Sequence, residues 1–218
     1  MPVSGRDAPD HDTARAGTAQ SGDRRRERGT RSRRIISRHA VDIASLDGLD
    51  GLSFGRLADD LDISKAGIQT LFRTKEALQL ATVEAAGEAF AEAVVAPVRS
   101  VPEGAPRIRA LVEQWIAYAA QPLFPGGCFW GANLPEFDSR PGPVRDALQR
   151  QRDVWLGTLT RQFERAAADR RFDDDEIDLA VFQIDAVLNA ANIALRLGDS
   201  ESTRKVHRVV DGLLKSES

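Results

Sequence analysis

The chain holds one cysteine, one methionine, one tyrosine and three histidines in 218 residues. A single thiol, Cys128, cannot close an internal disulfide, and this usage fits a reducing compartment, so a cytoplasmic protein is expected. The histidines stand at 11, 39 and 207, one of them in the N-terminal tail, and make neither a metal-ligand spacing nor a Ser-His-Asp or Cys-His arrangement. No apolar run approaches the roughly 20 residues of a membrane helix, and no apolar stretch near Met1 reads as a secretion signal. No glycine-rich phosphate loop follows a predicted strand either. Together these absences predict a protein that is not an enzyme, carries no cofactor or metal, and has no membrane partner. A thiol-sensing role for Cys128 has little support, because no Lys or His lies beside it to lower its pKa.

What is present is a soluble globular composition, 42% hydrophobic and 29% charged, in a chain long enough for one or two domains and a sizeable core. The net charge of −3 conceals an asymmetry. Residues 1–41 hold ten Arg against five Asp and Glu, a net +5, which leaves −8 for the rest. A cationic end on an acidic body points to a polyanionic partner at that end.

The stretch from Leu52 to Leu80 organises the rest. Phe54, Leu57, Ala58 and Leu61 recur at i, i+3, i+4 and i+7, so they form one apolar stripe of a helix capped by Ser53, with Arg56, Asp59 and Asp60 outside. Asp62-Ile63-Ser64 breaks the period. Ser64 then caps a second short helix whose inward positions are Ile68, Leu71 and Phe72. Two short helices joined by about three residues read as helix-turn-helix. The outer face of the second helix, with Ser64, Lys65, Gly67, Gln69 and Thr70, has no acidic side chain, which suits base edges and phosphates in a major groove. Gly67 costs about 1 kcal/mol against Ala inside a helix, a cost that a close backbone approach would explain. Thr74 caps a third helix, and its free amides beside Arg73 and Lys75 make a phosphate seat.

The run Gly48-Leu49-x-x-Leu52-Ser53-Phe54-x-x-Leu57-Ala58-x-x-Leu61-x-Ile63-Ser64-Lys65-x-Gly67-Ile68-x-x-Leu71-Phe72-x-Thr74-Lys75-Glu76-Ala77-Leu78 resembles the DNA-binding domain of the TetR family of bacterial transcriptional regulators. The resemblance covers about fifty residues. It implies an all-α homodimer with a small N-terminal helix-turn-helix domain and a larger C-terminal helical domain for ligand binding and dimerisation. Two positions depart from the family's pattern. Gln69 stands where most members carry a Tyr that touches the DNA backbone, and Asp62 stands where most carry Gly. Gln69 has the groups to read a base, and Asp62 is expected to make its turn by side-chain hydrogen bonding. The operator sequence does not carry over.

On this reading residues 1–29 are a disordered basic arm, too poor in large apolar side chains to offset the entropy of ordering. Residues 30–78 form the helix-turn-helix domain and residues 79–218 the ligand-binding and dimerisation domain. Arg24, Arg25, Arg26 and Arg28 lead into Arg31, Arg33 and Arg34 on a first helix over Thr30–Leu46 that Gly48 terminates. Such an arm lies along phosphates or enters a minor groove; the plainer reading is a solvated charge run. The DNA-contacting set is therefore Ser53, Ser64, Lys65, Ala66, Gly67, Gln69, Thr70, Arg73, Thr74 and Lys75, with Arg31, Arg33 and Arg34 behind them. His39 reads as a surface or boundary residue.

The helix after Thr74 is expected to run to about Ala96, where Pro97 stops it. A helix over 107–121, an irregular Pro- and Gly-punctuated connection and a short helix near 128–137 follow. Their aromatic and amphipathic side chains Trp115, Tyr118, Phe124, Cys128, Phe129, Trp130, Asn133 and Phe137, with Trp155 on a helix over 144–168, are candidates for a small-molecule pocket. The competing reading is that they plug the core. Asp173 to Glu176 are helix-start chemistry rather than a calcium loop. Residues 177–197 make the most apolar helix, with Leu179, Phe182, Ala186, Asn189, Ala190, Ile193, Ala194 and Leu197 spread over more than one face, and a last helix spans 202–214. In the TetR family this helix and its predecessor build a four-helix dimer interface, so these residues are the expected dimer contact; Asn189 and Asn192, if buried, would find partners across the two-fold axis. The function implied is a ligand-responsive dimeric repressor on a palindromic double-stranded operator. The alternative is a helical small-molecule-binding or interaction protein that has lost DNA binding, which Gln69 would suit.

Overall fold

The computed structural model describes residues 12–121, 123–167 and 173–215, with side chains from Arg26 onward apart from Ala167. Among these the fold is all-α. The helices are α1 (Asp12–Asp47), α2 (Phe54–Leu61), α3 (Lys65–Phe72), α4 (Lys75–Phe90), α5 (Ala105–Ala120), α6 (Phe129–Phe137), α7 (Pro143–Ala167), α8 (Asp174–Arg196) and α9 (Ser202–Leu214).

Helix α1 starts far upstream of Thr30, so residues 12–29 are helical rather than the disordered arm expected there. No proline interrupts the chain between Pro9 and Pro97. The packed half of α1 supplies the costly first turns, after which extension along Ala, Arg, Gln and Glu is cheap. The rest of the expected arm, residues 1–11 with His11, lies outside the described residues, as do the side chains of Arg24 and Arg25.

Ile36, Ala40, Val41, Ile43 and Ala44 form the buried stripe of α1, and Leu57, Ala58, Ile68, Phe72 and Leu78 close over it. Each large aliphatic or aromatic side chain so buried contributes about 1.5–3 kcal/mol. That burial, more than helix propensity, holds helices as short as α2 and α3. The apolar core then continues without a break through α4 into α5–α9.

Helix α4 links the two regions. Its α-helical bonding ends at Phe90, and the chain continues as a π turn over Ala91–Val95 and a 3₁₀ turn over Ala96–Val98, beyond the expected stop. Pro97 has no N–H to donate and its ring crowds the carbonyl four residues back, so the turn widens ahead of it. Asp173 and Glu176 make a reciprocal capping box at the start of α8.

Helix α8 is long and apolar enough to span a membrane by length and composition alone, which corrects the sequence expectation. Its apolar character comes from two faces. Ile177, Ala180, Val181, Ile184, Leu188 and Ala191 are buried in the protomer, whereas Leu179, Phe182, Ile193 and Leu197 are exposed.

Candidate nucleic-acid interface and ligand cavity

Three side-chain caps set the helices of the head. Ser53 accepts from Arg56 N at 3.1 Å, Ser64 from Gly67 N at 3.1 Å and Thr74 from Ala77 N at 3.0 Å. Ile68 and Phe72 pin α3 inward, which leaves Ser64, Lys65, Ala66, Gly67, Gln69 and Thr70 exposed on one surface, followed by Arg73, Thr74 and Lys75. Ser53, Lys65, Gln69 and Lys75 line one shallow concavity beside the start of α2. Of the described atoms outside its own helix backbone, only the Ser64 hydroxyl would come within 4 Å of a Cβ on Gly67, so no backbone of this chain explains that glycine.

The turns are made differently from the expectation. Asp62 takes a left-handed backbone, φ 51°, and the amide of Ile63 donates to Ala58 O at 3.1 Å, so the backbone makes the turn. Arg73 has φ 62° and ψ −50°, and Thr74 N donates to Phe72 O across it at 2.7 Å. This is a γ-turn of the rare positive-φ form, a strained conformation for a side chain as long as Arg.

The cationic residues divide. Arg31 and Arg34 are exposed on α1. Arg33 instead stacks its guanidinium over the Phe72 ring at 4.7 Å and donates to Leu71 O at 2.9 Å. It therefore clamps the C-terminal end of α3, where a cation is favoured by the helix dipole and the aromatic face. Lys75 Nζ donates to Asp50 O at 2.6 Å, and His39 pairs with Asp60 at 3.0 Å, tying α1 to α2.

Helix α6 grips the turn between α1 and α2. Asn133 is fully buried; its Oδ1 accepts from Leu49 N at 2.8 Å and its Nδ2 donates to Ala44 O at 3.2 Å and Phe129 O at 2.8 Å. Glu136 accepts from Leu49 N and Asp50 N, and Arg140 pairs with Asp50. The guanidinium beside Asp50 holds its carboxyl below the ordinary value. A depressed carboxyl pKa stabilises the fold above the unfolded value and loses that contribution only as pH falls through the folded one, so the link is intact at neutral pH. At Gly126 a Cβ would lie 1.8 Å from Ser45 O, so the loop before α6 rests directly on the α1 backbone. Asn133→Ala is expected to destabilise the protein by about 2 kcal/mol, because buried backbone groups lose their partner. A urea midpoint equal to the wild-type value would show that α6 does not hold the head.

Between α4, α5, α6, α7 and α8 lies a mostly apolar cavity of about 80 Å³. Of the expected pocket residues, Trp115, Cys128, Trp130 and Trp155 line it. Tyr118, Phe124, Phe129, Asn133 and Phe137 do not: they are core, with Tyr118 Oη accepting from Phe129 N at 3.1 Å and Phe124 and Phe129 wholly buried. The unforeseen walls are Phe90, Ala91 and Val95 from α4 and its π turn, and Gln151, Arg152 and Asp185 from α7 and α8. The sequence signal for α7 was Gln151 and Arg152 at i+3 and i+4 from Leu148, polar side chains on the same face as Trp155 and Leu159. For α4 no signal distinguished the cavity side from the core. Arg152 and Asp185 pair at 2.7 Å on the wall, and Trp130 Nε1 is buried without a hydrogen-bond partner among the described residues. Burial pushes the Cys128 thiol up from its ordinary pKa, so it stays protonated and inert at neutral pH. Its reaction with a disulfide reagent is expected to be roughly 100-fold slower in the native protein than in urea; equal rates would contradict this placement.

The expected dimer residues lie on α8 and, for Leu197, at its C-cap, away from its buried stripe. Leu179, Phe182, Ala186, Ala190, Ile193 and Leu197 are exposed, and Ala194 and Asn189 are half-buried. Neither asparagine depends on a second chain for a partner. Asn192 Oδ1 accepts from Cys128 N at 3.1 Å and Asn189 Nδ2 donates to Asp185 O at 2.8 Å.

Residues 104–210 match the family profile described as tetracyclin repressor-like, C-terminal domain. The chain has the TetR fold, with a tetracyclin repressor-like C-terminal domain. Among solved structures with the same TetR fold, a TetR transcriptional regulator from Chloroflexus aurantiacus superposes with a TM-score of 0.73 at 21% identity, covering 86% of this chain and 94% of that one. A TetR-family transcriptional regulator from Streptomyces coelicolor gives 0.69 at 21% identity, covering 85% and 94%. AibR, solved in complex with isovaleryl coenzyme A and operator DNA, gives 0.61 at 19%, covering 84% and 95%. No curated protein matches the chain in sequence. The TetR fold thus extends over both the helix-turn-helix head and the helical body.

Proposed function

We propose that this chain is a TetR-family, ligand-responsive transcriptional repressor that acts in the cytoplasm as a homodimer on a palindromic double-stranded operator. The observation that carries this reading is the outward surface of α3: an exposed, acid-free face held rigid by Ile68 and Phe72 and flanked by Lys65, Arg73 and Lys75. Residues 30–78 serve as the reading head and 79–218 as the effector-binding and dimerisation body. The open side of Gly67 supports close approach to a DNA backbone, and the γ-turn sets Arg73 directly before the Thr74 cap of α4, whose N-terminus is a favourable seat for phosphate. Arg31 and Arg34 extend that cationic surface along α1, whereas Arg33 acts by holding α3.

Two routes connect the cavity with the head. One is α4, whose π turn lines the cavity while its first turn bears Lys75. The other is α6, whose Trp130 faces the cavity while Asn133 and Glu136 hold the turn at Leu49 and Asp50. An effector that fills a space of about 80 Å³ must displace these walls, because drug-sized ligands need about 300 Å³ or more. Release from DNA then follows from differential affinity for the two arrangements.

The test is a mobility shift on duplex DNA from the region upstream of the chain's own gene, run as a salt series. With six to ten phosphates neutralised, affinity falls by about 10³–10⁵ between 50 and 200 mM salt. Absence of any shift would favour a helical ligand-binding protein that has lost DNA binding.

A further inference from the structure

The apolar cavity does not stand alone. Val95 and Thr158 belong both to its wall and to that of a second, larger concavity of about 510 Å³, so the two spaces adjoin. One strip of α7 serves both: Gln151, Trp155 and Thr158 border the cavity, and Thr158, Arg161, Gln162 and Arg165 border the groove, at helical i, i+3, i+4 and i+7 steps. Along this strip the surface changes from aromatic to cationic.

The groove carries Arg99, Arg107, Arg161 and Arg165 against Glu103 and Glu164. Glu103 is already engaged, with Arg107 at 3.2 Å and Arg165 at 3.4 Å, and Arg107 is fixed further by donating to Val101 O and Arg99 O. Arg99 and Arg161 have no carboxylate partner among the described residues; Arg161 donates to Thr158 Oγ1 at 3.2 Å, at the junction of the two spaces. Two guanidiniums without a carboxylate partner among the described residues, in a groove with net positive charge, match the oxygens of a multivalent anion. A lone carboxylate would leave most of this volume empty.

We propose that the effector is an amphiphilic anion: a compact acyl or aryl group seated between Phe90, Trp115 and Trp155, joined past Val95 and Thr158 to a phosphate-bearing carrier held by Arg99 and Arg161. This rests on the reading of the cavity as the effector site. It places the apolar part against the π turn of α4 and leaves the anionic part to supply selectivity.

The three tryptophans of the chain, Trp115, Trp130 and Trp155, all line the cavity, so intrinsic fluorescence of the full chain reports its filling. The probes are coenzyme A thioesters from acetyl to octanoyl and phenylacetyl, free coenzyme A, the matching free acids, and 1-octanoylglycerol 3-phosphate, which separates a lipid source from a thioester source. At least one phosphate-bearing amphiphile is expected to bind about tenfold or more tightly than both its free acid and free coenzyme A. Arg99→Gln with Arg161→Gln is expected to weaken it by about tenfold or more, since charge-assisted hydrogen bonds are removed. The same variant should leave the free acids unaffected and the melting temperature unchanged, both residues being exposed. Equal binding of thioester or lysophospholipid and free acid, or a variant that binds as the wild type does, would overturn the proposal while leaving a cavity-bound effector in place. If no probe perturbs the tryptophans while an apolar neutral compound still releases the protein from DNA, the anionic head is wrong and the regulator reading survives. Loss of the DNA shift itself would strike only that reading.

Discussion

Lys65→Ala combined with Arg73→Ala is expected to abolish the mobility shift on upstream DNA at about 150 mM salt. Two phosphate-binding cations removed from each protomer make four for the dimer. At about 0.9 per cation the slope of log affinity against log salt should fall by about 4, equivalent to about 10³ in affinity at that salt. Both side chains are exposed, so the thermal midpoint should not drop. Arg73→Gly sharpens the test. The positive-φ γ-turn strains Arg and suits Gly, so this substitution should raise stability by up to about 1 kcal/mol while still weakening DNA binding. A double variant that shifts DNA with wild-type affinity would remove the α3 surface from the interface.

Phe182→Asp with Leu197→Asp is expected to convert the proposed dimer into a folded monomer. Phe182 is 64% exposed and Leu197 83% exposed in the protomer, so carboxylates there cost the isolated fold little. In a two-fold interface each change counts twice and buries charge against apolar surface. At about 2 kcal/mol for each protomer's pair the dimer dissociation constant should rise by about 10³. Sedimentation should show half the wild-type mass with unchanged helicity. Operator binding should fall with it, because two heads must sit about 34–36 Å apart, or a multiple of that, to straddle a palindrome. A variant that stays dimeric would place the interface elsewhere. The groove between α8 and α9, bordered by Phe182, Val187, Val209 and Leu213, continues the same apolar surface.

Legibility from the sequence differed by kind of residue. The helix starts at Phe54, Lys65, Lys75, Asp174 and Ser202 were readable, because each follows a break in the apolar period and the first four follow a capping side chain. Arg33 was not: among neighbouring arginines nothing separates a side chain that meets solvent from one that stacks on Phe72, since the difference lies in which ring is across the gap. Tyr118, Phe124 and Phe129 misled for the same reason. An aromatic cluster looks alike whether it encloses space or fills it.

Periodicity, caps and the helix-turn-helix spacing determined by themselves that the chain is all-α, that α3 turns Ile68 and Phe72 inward, and that α8 has apolar side chains on more than one face. These are local properties, set by steric and hydrogen-bonding preferences within a few residues. Tertiary structure alone decided that Asn133 and Glu136 hold the turn at Leu49, that Arg33 serves the fold, and that Val95 and Thr158 join an apolar cavity to an arginine-lined groove. Those depend on groups from helices separated by tens of residues meeting in space. Contact at that range is fixed by how the helices pack together, which no local pattern records.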